Sequence, residues 1–157
     1  MIIKSVKLKN LLFFIAVTLI IGFGGGLLGG NVKQAYAQLV KPPLAPPQII
    51  FPIVWILLYI LIGAAAYLIS SEHGDLIAPT LKLYWLNIIA NALWPVFFWR
   101  FKWLDFSAIW IGILIILTVL LILRSVKISK TAALLFIPYL IWLIFALYLN
   151  IGYAVLN

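Results

Sequence analysis

Five apolar stretches, each about as long as the hydrocarbon core of a bilayer is thick, leave this chain few ways to fold. Lipid offers no partner to an unpaired backbone N–H or C=O, so a chain crosses it as helix or as closed barrel, and a helix needs about 20 apolar residues to do so. The qualifying segments run over 11–30, 48–70, 80–99, 107–123 and 131–154, the fourth being the shortest. Between them stand Lys33 with the run KPPLAPP, then SSEHGD, RFKWLD and RSVKISK. With 67% hydrophobic and 9% charged residues, the 157-residue chain has too little polar surface to coat a core in water. The expected architecture is an all-α integral membrane protein, a single domain over 1–157 built as a bundle of five transmembrane helices. The short connectors predict that consecutive helices are antiparallel neighbours.

The net charge of +8 comes from bases lying between the apolar runs. There they read as topology signals and lipid-phosphate contacts, since no basic stripe is free to track a nucleic acid backbone. Lys4, Lys7, Lys9, Lys82, Arg124, Lys127 and Lys130 fall on one side of the alternating topology, and Lys33, Lys41, Arg100 and Lys102 on the other. The excess predicts a cytoplasmic N-terminus. Ala35-Tyr36-Ala37 matches an A-x-A cleavage site, but the apolar run before it has the length of a full span, so a retained helix is expected. A short N-terminus without an Arg- and Ser-rich presequence favours a bacterial cell membrane.

Acid and base chemistry has little to work with. The acids are Glu72, Asp75 and Asp105, the only histidine is His73, all four fall in expected connectors, and cysteine is absent. This arrangement excludes a hydrolytic triad, a histidine metal cage and the buried relay of proton-coupled transport. Glu72, His73 and Asp75 read as a solvated loop, so no metal site is expected.

Aromatic residues are in excess, with seven Trp, seven Tyr and ten Phe. Trp99, Trp103 and Trp110 flank the third connector and read as an interfacial belt. Others are placed too deep for that role. Phe51, Trp55, Tyr59, Gly63 and Tyr67 share a face of the second span. Tyr84, Asn87, Asn91, Trp94 and Phe98 do so in the third, and Tyr139, Trp142, Ala146 and Asn150 in the fifth. An amide in lipid needs a partner, so these faces should turn into the bundle. On periodicity alone, packing glued by Asn is the ordinary reading. The sharper one is an aromatic-lined cavity for a flat apolar ligand with a polar edge.

Lys41-Pro42-Pro43-Leu44-Ala45-Pro46-Pro47 cannot be helix interior and forms a stiff, extended connector, too tightly held between two spans to serve as a PxxP ligand. Pro52, Pro95 and Pro138 lie within spans and permit bends. Gly22, Gly26 and Gly30, overlapped by Gly25 and Gly29, form a tandem GxxxG on the first span. That spacing allows close approach of another backbone, inside the bundle or across a homodimer alike.

Several blocks in order resemble the translocator protein family, also called tryptophan-rich sensory proteins (TspO/MBR). They are Tyr36-x-x-Leu39-x-Lys41-Pro42, Pro46-Pro47, Phe51-x-x-x-Trp55-x-x-x-Tyr59, Asn91-x-x-Trp94 with Phe97-Phe98, and Pro138-Tyr139-x-x-Trp142-x-x-Phe145-Ala146-x-x-Leu149-Asn150. The resemblance implies a five-helix membrane bundle, often dimeric, with a pocket under the first connector that takes porphyrin-type tetrapyrroles such as protoporphyrin or haem. No cofactor is required, and the porphyrin or haem is the ligand of a receptor, sensor or carrier. The implied ligand-binding set is Tyr36, Lys41, Phe51, Trp55, Tyr59, Asn87, Asn91, Trp94, Phe98, Tyr139, Trp142, Ala146 and Asn150. If the protein is an enzyme, degrading porphyrin with light and oxygen, the resemblance makes Trp55 and Trp142 the catalytic pair. A structural scaffold without ligand is the third reading.

Trp and Tyr faces suit the porphyrin plane, and Lys33 or Lys41 at the mouth suits its carboxylates. With no His or Cys placed to ligate iron, free porphyrin is the expected cargo over haem. The chain departs from the family at Ala35-Tyr36, where Trp-Tyr is usual, and at Asn87-Ile88, where Gln-Leu is usual. Tyr153 is followed by Ala-Val-Leu-Asn without the basic residue of a sterol motif, whereas Val32, Tyr36 and Lys41 meet only the loose form of that pattern.

Overall fold

Five helices are long and apolar enough to span a membrane in a computed structural model that describes residues 7–157. In chain order they are α1 (Leu8–Leu28), α3 (Ile50–Ser70), α4 (Ile77–Pro95, continued by a π-helical turn at Val96–Arg100), α5 (Leu104–Val126) and α6 (Lys130–Leu156), with a short α2 (Val32–Gln38) in the first connector. Lys4, one of the N-terminal bases counted above, lies outside the described residues. The fourth span has 23 residues, extends beyond the expected 107–123, and is longer than α1 and α3 at 21 each. It gains a first turn carrying Asp105, which suits the positive end of the helix dipole, and a last turn carrying Arg124, which suits the negative end.

The spans close into a ring in the order α1, α3, α6, α5, α4 and back to α1. Consecutive spans are therefore neighbours with one exception. The second and third spans, α3 and α4, flank α1 and meet each other only along a short stretch, and α6 takes the place beside α3. Glycines set the fit of α1. A Cβ at Gly22 would intrude on the Tyr59 ring, one at Gly25 on the Ala92 backbone, and one at Gly29 would lie 3.0 Å from the Pro95 carbonyl. Gly22, Gly25 and Gly29 thus serve packing inside the bundle, whereas a Cβ at Gly26 or Gly30 of the tandem GxxxG would meet nothing within 4 Å. Gly63 of α3 returns the contact, with its Cβ position 2.6 Å from the Ile15 Cα.

Polar side chains in the ring satisfy one another. The Tyr59 hydroxyl donates to Asn91 Oδ1 at 3.0 Å, and Asn91 Nδ2 donates to the Tyr139 hydroxyl at 3.1 Å. Tyr139 donates to Asn87 Oδ1 at 3.1 Å, and Asn87 Nδ2 to Thr118 Oγ1 at 2.9 Å. Thr118 ends the series on the Leu114 carbonyl of its own helix, at 2.7 Å. This directional chain stitches α3, α4, α6 and α5 together. α1 is held separately, by Thr18 and Tyr84, whose hydroxyls are 2.6 Å apart.

Prolines act unequally. Pro52 falls in the first turn of α3, where its missing N–H removes no intrahelical bond, so it introduces no bend. Pro95 is followed by the π turn, closed by Phe101 N–H on the Val96 carbonyl at 3.0 Å.

Two sets of variants test this packing by thermal unfolding in detergent. Gly25→Leu, which forces a side chain onto the α4 backbone, should lose about 1–3 kcal/mol, whereas Gly24→Ala, whose Cβ meets nothing within 4 Å, should hold or gain up to about 1 kcal/mol. Asn87→Leu, which strands the Tyr139 proton, should lose about 1–2 kcal/mol. Thr80→Val removes a buried hydroxyl without a hydrogen-bond partner and should raise stability by about 1 kcal/mol.

Candidate functional site

The first connector is built as a strap. Asn31 caps α2 by accepting from Gln34 N–H at 3.2 Å, and the helix then buries Tyr36. The Tyr36 hydroxyl donates to the Pro46 carbonyl at 2.7 Å, which fixes the far end of the proline run over the near one. Three further ties fasten the strap to the end of α6. Tyr148 donates to the Pro43 carbonyl at 2.8 Å, Asn157 grips Val40 by both its N–H (2.8 Å) and its carbonyl (3.0 Å), and Pro42 occupies the space that a side chain at Gly152 would need. With Pro42 buried and two proline carbonyls engaged, the PxxP run is a structural strap and offers no free peptide.

Beneath the strap, between α1 and the α3–α4 pair, is a cavity of about 720 Å³. Its aromatic walls are Phe51, Trp55 and Tyr59 of α3, and Trp94 and Trp99 at the end of α4. α1 supplies Gly22, Phe23, Gly26 and Leu27, so much of that wall is bare backbone, and the space a side chain at Gly26 would fill belongs to the cavity. Asn91 adds a buried amide, already shared between Tyr59 and Tyr139. Exposed Lys33 and buried Tyr36 line the strap side. None of the lining residues is a histidine, cysteine or methionine.

Trp55 is central to the site. It stacks on Tyr59 (centroids 5.2 Å apart, planes at 27°) and meets Trp142 edge-on (6.4 Å, 87°). The larger cavity borders it, and so does a small space of about 30 Å³ that shares Phe51, Asn91 and Trp94 with the cavity and adds Trp142 and Ala146 of α6.

Of the residues expected from sequence, Tyr36, Phe51, Trp55, Tyr59, Asn91 and Trp94 come together on the cavity wall. Trp142 and Ala146 border only the small void. Five others line neither space, and each is engaged elsewhere. Asn87 and Tyr139 belong to the buried hydrogen-bond chain. Asn150 accepts from Trp94 Nε1 at 2.9 Å and donates to the Leu104 carbonyl at 2.8 Å, tethering α4 and α5 to α6. Phe98 is buried, stacked on Trp94 at 5.0 Å and packed edge-on to Tyr153 at 5.7 Å. Lys41 caps the Tyr36 ring from outside, its Nζ 4.6 Å from the centroid. The slot expected between spans two, three and five is thus relocated. Its walls are spans one, two and three with α2, because Asn87 and Tyr139 spend their polar groups on the side-chain link between α4 and α6.

Trp99 was expected in the interfacial belt, yet it lines the cavity, 6.1 Å from Tyr36 and 6.4 Å from Trp94. The π turn after Pro95 resets its direction, and Pro95 was the only sign of that in the sequence. Trp110 is likewise drawn inward, donating from Nε1 to the Ala90 carbonyl at 2.7 Å, whereas Trp103 remains exposed. Glu72, His73 and Asp75 sit in the turn between α3 and α4, apart from the cavity.

A family model described as the TspO/MBR family matches residues 14–156. The chain is 30% identical over 154 residues to a tryptophan-rich protein TspO of Chlorobaculum tepidum, covering 96% of this chain and 98% of the relative. It is 33% identical over 158 residues to the protein of the same name from Archaeoglobus fulgidus, covering 96% and 99%. It is also 33% identical over 135 residues to the translocator protein of Ovis aries, covering 80% and 79%. The five-span ring, with its aromatic cavity beneath a proline strap, is that of a multi-pass integral membrane protein, and the chain belongs to the TspO/MBR family.

Proposed function

We propose that this chain is a membrane receptor for a porphyrin-type tetrapyrrole, acting as a sensor or carrier. The observation that carries the reading is the cavity itself. Its volume of about 720 Å³ falls within the roughly 300–1,000 Å³ of small-molecule sites, and seven aromatic residues border it with one lysine on the strap side. A tetrapyrrole is a broad π-system with carboxylates at one edge. Trp55 and Trp94 supply faces for the plane, and Lys33, exposed to solvent, supplies a charge for the edge. Lys41 is held over Tyr36, which leaves Lys33 as the better carboxylate partner. The wall offers no histidine, cysteine or methionine, which favours free porphyrin over haem. Relatives carrying the names tryptophan-rich sensory protein, in Cereibacter sphaeroides, and translocator protein, in Ovis aries and Bos taurus, support the sensor and carrier classes.

The edge-on contact of Trp55 with Trp142 favours a second reading, in which bound porphyrin is degraded under light and oxygen. In that case Trp55 meets the ligand, and Trp142 acts through it. The distribution of Lys and Arg supports a cytoplasmic N-terminus, which sets the strap and the cavity mouth on the opposite face, and the TspO relatives in Chlorobaculum tepidum and Bacillus cereus support a bacterial cell membrane. A homodimer of this chain would use lipid-facing surface other than the Gly22, Gly25 and Gly29 face, which the bundle itself consumes.

Titration of the detergent-purified protein with protoporphyrin in the dark, followed by tryptophan fluorescence, should give saturable quenching. Trp55→Phe should weaken binding by about threefold to tenfold, the loss of one aromatic stacking contact, while Trp142→Phe should leave the dissociation constant within about twofold. Equal losses in both variants, or no saturation, would remove the cavity reading. Lys33→Gln should weaken binding at low salt and converge on the parent protein as ionic strength rises. Illumination of the complex separates the two readings: loss of the porphyrin absorption band that needs both Trp55 and Trp142 indicates turnover.

A further inference from the structure

α1 changes its close neighbour along its length. From Ile15 to Gly22 it lies against α3, with the Cβ position of Gly63 2.6 Å from the Ile15 Cα and that of Gly22 on the Tyr59 ring. From Gly25 to Gly29 it leans on α4 instead, with Gly25 against the Ala92 backbone and Gly29 against Pro95. Arg100 holds it there, donating to the Leu28 carbonyl at 3.4 Å. On the strap side of Tyr59, therefore, α1 and α3 part, and the cavity occupies the gap between them.

Exposure shows which way the gap faces. The lining residues of α4 are all buried or half-buried, whereas the exposed ones are Phe23 and Leu27 of α1, Ile49 and Pro52 at the start of α3, and Lys33 of α2. Leu27 is 83% exposed and Ile49 63%. The Phe23 ring, edge-on to Tyr59 at 5.7 Å, forms the floor of the opening, and α2 forms its top. Phe23 stands five residues before the end of α1, which places the floor about 7 Å below that end. The cavity is thus open sideways between two spans, from the level of the headgroups into that of the acyl chains.

Such an opening suits an amphiphile that already lies in the leaflet. Its chain can pass between α1 and α3 while its head stays at the interface, so no charge has to be drawn into apolar surroundings. Lys33 is the one charged residue on the lining, and it stands at the top of the opening. One cation above apolar walls matches one anionic head above an apolar chain. A Cβ at Gly26 would meet nothing within 4 Å, so the α1 wall leaves room for that chain.

We propose that the gap between α1 and α3 is a lateral port, through which the cavity takes from the bilayer a single-chain anionic amphiphile of the long-chain fatty acid class. The chain lies among the rings and the carboxylate stays at Lys33. This goes beyond the tetrapyrrole reading and does not rest on it.

The test is photolabelling of the protein in phosphatidylcholine nanodiscs with a long-chain fatty acid that carries a mid-chain diazirine, flashed at increasing delays after mixing, with the adducts mapped by mass spectrometry. Adducts should concentrate several-fold on 23–27 and 51–59 over the equally exposed Ile109, Ile116 and Ile141 of α5 and α6. Oleate should displace the label, and oleyl alcohol should do so less well. Gly26→Leu, which fills the cavity, should remove these adducts, and Lys33→Gln should weaken competition by oleate about twofold to fivefold. Leu27→Trp combined with Ile49→Trp, which narrows the port, should slow their appearance several-fold. Adducts spread evenly over all exposed apolar faces, oleyl alcohol competing as well as oleate, or undelayed labelling in the paired Trp variant would each overturn the proposal. The first two outcomes are read on the parent protein, whether or not the variants fold. Protoporphyrin titration of the same nanodiscs tests the tetrapyrrole reading by itself.

Discussion

A buried hydroxyl or amide in a lipid-embedded bundle is costly unless it finds a partner inside the protein, and that requirement organises this one, with Thr80 and Tyr153 as the exceptions among the described residues. A single directional chain, Tyr59 to Asn91 to Tyr139 to Asn87 to Thr118, satisfies four helices at once. Each amide donates to one neighbour and accepts from another, so removing a member leaves two groups unsatisfied. The ring order accommodates it. Tyr139 reaches both asparagines of α4 through its side chain while α6 itself lies in the ring between α3 and α5. Consecutive helices α3 and α4 are held chiefly through α1 and the hydrogen-bond chain, with little direct packing of their own.

The cavity is the complement of that arrangement. α1 stands outside the chain and is joined to the bundle by backbone approach at its glycines and by the Thr18–Tyr84 contact. Gly22 packs against the Tyr59 ring, whereas beside Gly26 the space stays open, bordered by Phe23 and Leu27 and covered by the strap. The strap's stiffness comes from its prolines, but its position comes from Tyr36, Tyr148 and Asn157, three side chains that grip its backbone. Close approach and open space therefore arise from the same small residues, used at different heights of one helix.

What the sequence could and could not reveal follows from which forces are local. Span number, helical class and a non-helical first connector follow from apolar length and proline chemistry, both local properties. Which aromatic faces the cavity depends on the spatial order of helices, which periodicity does not encode. Asn87, Tyr139 and Asn150 share faces with Asn91 and Trp94, and only the pairing between helices decides which of them is consumed by structure. Trp99 was misread for a different reason. Its direction depends on one widened turn after Pro95, and a proline marks that a helix is irregular without saying how. The glycines of α1 carried a usable signal. Bare backbone at regular spacing, facing a helix rich in large rings, marks either tight contact or a pocket, and here it marks both.

Trp55 connects these arguments. It borders the large cavity, stacks on the tyrosine at which the hydrogen-bond chain begins, and backs onto Trp142 across the small void. A planar guest pressed against Trp55 also touches Tyr59, and Tyr59 can move only by stretching its bond to Asn91. On the proposed reading, a guest in the cavity would act on the hydrogen bonds that join α4 to α6 without reaching α6 itself. A sensor requires such a link between an occupied pocket and the packing of distant helices. Here the link runs through one stacked pair of rings and the first hydrogen bond behind it.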